Sequence, residues 1–161
     1  MQNGEPAPEV KLTKADGSSV ALQELLGKGP VVLYFYPKDE TPGCTAEACS
    51  FRDQYEDFKA AGAEVIGVSS DDGASHEAFK ANHRLPFTLL SDPGGVAARA
   101  FGVKKTFGLI AGRVTFVIDR AGVIRHRFDS QIRVQKHVQE ALEIVKSLGE
   151  KSAAAQRVST T

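Results

Sequence analysis

The stretch Val31-Val-Leu-Tyr-Phe-Tyr36 decides how the rest of the chain is read. It is apolar at every position, rich in β-branched and aromatic residues, and too short for an ordinary helix. Such an uninterrupted run is the pattern of a central strand covered on both faces. Working outward, Pro37–Gly43 reads as a loop. Residues 44–61 carry helix spacing, with Ala48, Phe51, Tyr55 and Phe58 at i, i+3, i+7 and i+10 and Gly62 as the stop. Val65–Ser69 is the next buried strand, Ser75–Arg84 a helix, Phe87–Leu90 a strand, Asp92-Pro-Gly-Gly95 a turn and Val96–Phe101 a short helix. Val114–Ile118 and Val123–Phe128 are strands joined by a hairpin at Asp119–Gly122. Val134, Val138, Ala141, Leu142, Val145 and Leu148 make the apolar stripe of a last helix. Ahead of the central strand, Glu9–Leu12 and Ser19–Ala21 are short strands around a turn at Asp16-Gly17, followed by one helical turn at Leu22–Leu26. Strands alternating with helices predict an α/β fold, a three-layer α/β/α sandwich around a central mixed sheet. The chain reads as a single domain over 1–161, with residues 1–8 a flexible lead-in and 151–161 a mobile tail without core pattern.

The bulk composition narrows the function classes. At 161 residues the chain is long enough for one well-buried core. Lys plus Arg and Asp plus Glu number 20 each, so no overall field gathers nucleic acid or an acidic membrane surface. The first residues, MQNGEPAPEV, have neither the basic nor the apolar region of a signal peptide, and no apolar run is long enough to span a bilayer. A soluble, cytoplasmic protein is expected, with neither nucleic acid nor membrane as partner. There are 2 cysteines, Cys44 and Cys49, too close in sequence to staple a fold. In a reducing compartment such a pair is more often catalytic or metal-binding. Cys44-x4-Cys49 is a poor zinc half-site without a partner pair, and His76, His83, His126 and His137 show no ligand spacing; they read as surface or internally satisfied residues.

Cys44 follows the central strand and its loop, at the start of the next helix. Reactive groups in open α/β sheets gather at the carboxyl ends of strands. A helix N-terminus offers unpaired N–H groups and the positive end of the dipole, which favour a thiolate. Pro42 and Gly43 shape the approach, and Thr41 supplies a hydroxyl nearby. Acidifying a thiol does not by itself make a peroxide reductant. Lowering a thiol pKa from about 8.5 to about 6 raises the thiolate fraction roughly thirty-fold at neutral pH. Intrinsic nucleophilicity falls at the same time and removes about ten-fold of that gain. The rest must come from donors aimed at the oxygens of a breaking O–O bond, a task suited to a fixed arginine.

Pro37-x-x-x-Thr41-x-x-Cys44 resembles the active-site motif of the peroxiredoxins, and Cys44-Thr-Ala-Glu47-Ala-Cys49 resembles their peroxiredoxin Q, or bacterioferritin comigratory protein, branch. Arg113-Val-Thr-Phe-Val-Ile-Asp119 is similar to the family segment in which an arginine precedes a strand. The resemblance spans about Pro8 to Leu148. It implies a thioredoxin-like fold and a thiol-dependent peroxidase acting on hydrogen peroxide and organic hydroperoxides. Cys44 is then the peroxidatic nucleophile, Thr41 bonds peroxide and thiolate, Pro37 shields the site, Arg113 binds the oxygens and Glu47 orients Arg113. Cys49 is implied as the resolving cysteine and a dithiol such as thioredoxin as the reductant, with no metal, flavin or haem; the branch leans monomeric, with a weak dimer open. The stretch Lys104–Gly112, KKTFGLIAG, departs from the commoner family spelling and is short before Arg113. The Gly-Gly-Leu-Gly and Tyr-Phe elements of overoxidation-prone peroxiredoxins are not evident.

The helix pattern puts Cys49 with Arg52, Asp53 and Glu56, away from the face of Cys44, Ala48 and Phe51. On an intact helix residues i and i+5 lie roughly 8–9 Å apart at Cα, whereas a disulfide needs under about 7 Å. Pairing Cys44 with Cys49 therefore requires the first turns to unwind. Two other classes remain open at this stage: a redox sensor that oxidises once and stalls, and a general disulfide oxidoreductase. The latter is disfavoured because those enzymes use Cys-x-x-Cys.

Overall fold

In the computed structural model of the chain, residues 3–104 and 112–159 are described, the side chains as far as Gly149. The strands are β1 (Lys11–Thr13), β2 (Ser19–Ala21), β3 (Val31–Phe35), β4 (Glu64–Ser69), β5 (Thr88–Ser91), β6 (Val114–Ile118) and β7 (Ile124–Asp129). The helices are α1 (Leu22–Leu25), α2 (Pro42–Asp53), α3 (Tyr55–Ala60), α4 (Gly73–His83), α5 (Val96–Ala100) and α6 (Val134–Ser159). The seven strands form one mixed sheet in the order β2-β1-β5-β4-β3-β6-β7. β3 runs parallel to β4 and antiparallel to β6, so every backbone group along its length has a neighbour on both sides.

Both faces of β3 are buried, as its unbroken apolar run requires. Val32 and Tyr34 join a core with Ala48 and Phe51 of α2, Phe58 of α3, Phe79 of α4 and Val138, Ala141 and Val145 of α6. Val31, Leu33 and Phe35 point the other way, into a core with Leu12, Leu22, Ala97 and Phe101. The alternation follows from the two-residue period of a strand. Helices thus cover both faces, four on one and the short α1 and α5 on the other, which is the thioredoxin-like sandwich expected.

The structure differs from the sequence reading at several boundaries. The helix expected over 44–61 begins earlier, at Pro42, and is interrupted at Gln54, whose φ of −101° and ψ of 3° end α2 and restart the chain as α3. The break lets Phe58 reach the core while the Tyr55 hydroxyl donates to Glu64 at 2.8 Å. The apolar spacing survives across so small a kink, which is why periodicity alone reads one helix. The lead-in expected to be flexible is tied to the far edge of the sheet: Gly4 N–H donates to Ile124 C=O (2.7 Å), Ile124 N–H to Glu5 C=O (2.9 Å) and Ala7 N–H to Gly122 C=O (2.8 Å). Prolines at such an edge cost no ladder bond. Instead of stopping near Lys151, α6 continues as backbone through Ser159. Of the unusual stretch 104–112, residues 105–111 lie outside the described residues. No helix among the described residues is long and apolar enough to cross a membrane.

Candidate active site

The chain leaves β3 at Phe35 and enters α2 through a six-residue turn, residues 36–41, that the tertiary structure holds from two sides. Thr41 is the N-cap in extended backbone, and Pro42 takes the first helical position, where an N–H has no intrahelical partner anyway. The first bond of the ladder is Thr45 N–H to Thr41 C=O at 2.8 Å. The N–H groups of Gly43 and Cys44 precede it, so Cys44 sits within the electropositive first turn. Its side chain is 1% exposed, and both cysteines are free thiols.

Arg113 comes from the other side of the sheet pairing. It immediately precedes β6, whose first residue, Val114, pairs with Phe35 at the end of β3. That register places the arginine beside the turn that carries Cys44, although the two are 69 positions apart. Arg113 Nη2 donates to Cys44 Sγ at 3.3 Å and Nη1 donates to Glu47 Oε1 at 2.8 Å. Arg113 is 4% exposed and Glu47 is 0% exposed. Burial works against the arginine's charge, but Glu47 and the Cys44 sulfur outweigh it and raise its pKa. Burial pushes the Glu47 carboxyl up to about 7 against the pull of Arg113. Gly43 makes the approach possible: a Cβ there would stand 2.9 Å from Arg113 Nη2. Glycine at this position is a matter of space around the guanidinium.

The other residues singled out in the sequence are near but less engaged. The Thr41 hydroxyl donates to Lys38 C=O at 2.8 Å, which leaves its lone pairs free to accept. Pro37 is half-buried at the exit of β3. Cys49 is partly exposed on α2, the same intact helix as Cys44, as the spacing argument expects. Arg113 therefore joins Cys44 and Glu47, whereas Pro37 and Thr41 lie in the turn before α2 and Cys49 lies further along it.

Two further clusters escaped sequence reasoning. Asp39, in the turn, accepts from Tyr36 Oη at 2.6 Å and from Ser75 Oγ at 2.8 Å, lies 2.7 Å from His76 Nδ1, and its own N–H donates to Asp71 at 2.8 Å. Behind Glu47, the buried His137 meets Thr115 Oγ1 at 2.7 Å and Ser130 C=O at 2.7 Å. Both histidines are internally satisfied, but neither is idle filler, and no spacing in the sequence links them to their partners. Among the described residues no group of His, Cys, Asp and Glu is arranged to hold a metal ion. A cavity of about 710 Å³ is lined mainly by residues of α1, β4, α4 and β5 and includes none of Thr41, Cys44, Glu47 or Arg113.

Comparison with known proteins identifies the family. Residues 3–127 match the AhpC/TSA family. The chain is 50% identical over 149 residues to a chloroplastic peroxiredoxin Q of Triticum aestivum, covering 92% of this chain and 68% of that protein. Among solved structures it resembles the peroxidoxin BcpB of Mycobacterium tuberculosis, with a TM-score of 0.84, 36% identity and coverage of 91% and 97% of the two chains. It also resembles the bacterioferritin comigratory protein of Xanthomonas campestris, described with alkyl peroxide reduction activity, at a TM-score of 0.80, 30% identity and coverage of 92% and 99%. The chain belongs to the AhpC/TSA family and is a thiol-dependent peroxidase of the peroxiredoxin Q type.

Proposed function

We propose that Cys44 is the peroxidatic cysteine, Cys49 the resolving cysteine, and Arg113 with Thr41 the groups that bind the breaking O–O bond. The observation that carries this is the Arg113 contact: one guanidinium nitrogen on the Cys44 sulfur, the other anchored by a buried carboxylate. A donor already aimed at the sulfur also addresses an oxygen arriving there, and it needs no reorganisation when charge develops. The Thr41 hydroxyl, one residue before the helix, orients the substrate, and Pro37 screens the turn from water. Glu47 holds Arg113.

In the first step the Cys44 thiolate attacks the terminal peroxide oxygen, the O–O bond breaks, and the departing alkoxide takes a proton to leave as ROH. Cys44 is left as sulfenic acid. The Cys49 thiolate then attacks that sulfur; an S–S bond forms, the S–O bond breaks and water leaves. A dithiol donor of the thioredoxin type returns two electrons and two protons. Both hydrogen peroxide and organic hydroperoxides fit this scheme, which needs no cofactor. We read the protein as monomeric and as working in a thiol-reducing compartment, cytoplasmic in the reading of the sequence; its plant relatives are named as chloroplastic.

The second step carries a conformational requirement. Cys44 and Cys49 share α2 (Pro42–Asp53), and an i, i+5 pair on a helix is too far apart to bond. The first turns of α2 unwind in each cycle. Stopped-flow oxidation of wild type, Cys44→Ser and Cys49→Ser tests the assignment. Cys44→Ser loses the reaction, and Cys49→Ser reacts once and then waits for an external thiol. Rapid peroxide reduction by Cys44→Ser would refute it.

A further inference from the structure

Glu47 gives one oxygen to Arg113 and the other to nothing: Oε2 is buried without a hydrogen-bond partner. The polar atom across from it is His137 Nδ1, at 3.6 Å. This ring is fully buried and its orientation is set from both ends. Nε2 faces the Ser130 carbonyl at 2.7 Å and must donate, so in the neutral ring Nδ1 bears a lone pair, which the Thr115 hydroxyl meets at 2.7 Å. Burial holds the His137 pKa down at about 4, so the ring is neutral in the working range. A lone pair facing a carboxylate oxygen offers no attraction. Arginine and carboxylate commonly meet as two parallel forks. Here the forks are split: Nη1 goes to Glu47 Oε1 and Nη2 goes to the Cys44 sulfur.

We propose that His137, fixed by Thr115 and Ser130, is a positioning residue for the peroxide reaction. By occupying the space behind Glu47 Oε2 without donating to it, the ring confines the carboxylate to a single contact with Arg113 Nη1 and leaves Nη2 aimed at Cys44. The inference rests on the reading of Cys44 and Arg113 given above. The same small cluster also secures the arginine's backbone, because Ser130 N–H donates to Arg113 C=O at 3.2 Å. The edge of the Phe128 ring arrangement packs His137 from β7, with centroids 4.6 Å apart. The charged and titratable groups around Glu47 are Arg113 ahead of β6, His137 from α6, Tyr34 from β3 and Cys44 on its own helix; Asp129 of β7 and Glu140 of α6 act on His137.

A carboxyl that titrates near neutrality makes the arrangement readable. In a difference-infrared pH titration of the reduced protein, the C=O band of protonated Glu47, assigned by its loss in Glu47→Gln, has its midpoint at about 7. His137→Gln brings an amide donor to Oε2, whereas Thr115→Val leaves the Nδ1 lone pair free to accept from protonated Glu47. The first lowers the midpoint and the second raises it, each by about one pH unit. Each also slows Cys44 oxidation about ten-fold, as Arg113 loses its aim. Thr115→Val is close to isosteric and supplies the test where His137→Gln fails to fold. An unmoved midpoint overturns the inference, and so does a shifted midpoint with an unchanged oxidation rate. Because the titration is done without peroxide, its failure is separable from that of the peroxidatic assignment, which Cys44→Ser decides.

Discussion

Two buried carboxylates flank the reactive turn, and each has a buried histidine beside it, yet they stand in opposite states. Asp39 accepts from the Tyr36 and Ser75 hydroxyls and lies 2.7 Å from His76 Nδ1. Burial works against its charge, but these partners prevail and hold its pKa below the ordinary carboxylate value of 3.8. Glu47 has a single donor, Arg113 Nη1, and burial prevails, pushing it up to about 7. A neighbouring histidine does not by itself decide the charge; the balance between desolvation and the donors reaching the oxygens does. The histidines differ in the same way. His76 faces acceptors with both nitrogens, Asp39 and the Leu90 carbonyl at 3.0 Å, whereas His137 spends one nitrogen on a carbonyl and turns a lone pair toward Glu47. Mechanically, Asp39 bolts the turn to α4, and Glu40 repeats the fixing by accepting from Asn82 at 2.9 Å and from His83 Nε2 at 3.0 Å while its own φ is +65°. The Glu47 side is held by one adjustable contact. The proposed unwinding and re-forming of the helix start fits such a division, a fixed entry and a lightly held first turn.

The largest break in this comparison comes from Asp39→Ala. It strips partners from Tyr36, Ser75 and His76 at once, and urea unfolding should show a loss of about 3 kcal/mol, the usual scale for removing one member of a buried pair. Gly43→Ala tests the opposite side. The new Cβ displaces the Arg113 guanidinium, whose far end can move, so stability changes little while stopped-flow peroxide oxidation slows about ten-fold or more. A single-exponential rate equal to wild type would show that the arginine's aim is not critical.

Stability against pH sharpens the contrast, because the two carboxylates have opposite signs. Asp39, with its pKa lowered on folding, contributes stability that is present above 3.8 and lost as pH falls through its folded value. Glu47, with its pKa raised, contributes stability that is complete below 4.5 and lost as pH rises through about 7. Urea midpoints of wild type relative to Asp39→Asn should therefore fall toward acid, whereas those relative to Glu47→Gln should fall from pH 4.5 to 7. Parallel trends would contradict that balance of desolvation against donors. The smallest effect belongs to Glu40→Gly, which relieves the left-handed backbone but gives up two partly exposed bonds. The net change by urea unfolding should stay within about 0.5 kcal/mol.

Much of the scaffold was legible from local pattern. Val31–Tyr36 could only be a strand with two covered faces, and the spacing of Pro37, Thr41, Cys44 and Cys49 placed both cysteines on the helix that follows. Arg113 and Glu47 were named through family resemblance, and the structure brings them into contact with each other and Arg113 into contact with Cys44. The one-residue break at Gln54 was not legible, because a kink that small leaves the apolar period intact. Nor was the tethering of residues 4–7, whose bonds are made by backbone to a strand more than a hundred positions away.

What the sequence by itself determined is whatever repeats or adjoins along the chain: the two-residue and 3.6-residue periods, the turn, and the cysteine pair on one helix. What only the tertiary structure decided is the state of each buried polar group. Asp39 and Glu47 are both acidic residues near the same cysteine in a linear reading. Their charges are set by hydroxyls, rings and a guanidinium delivered from α4, α6 and β6, and the balance between desolvation and those donors exists only after the chain has closed around them.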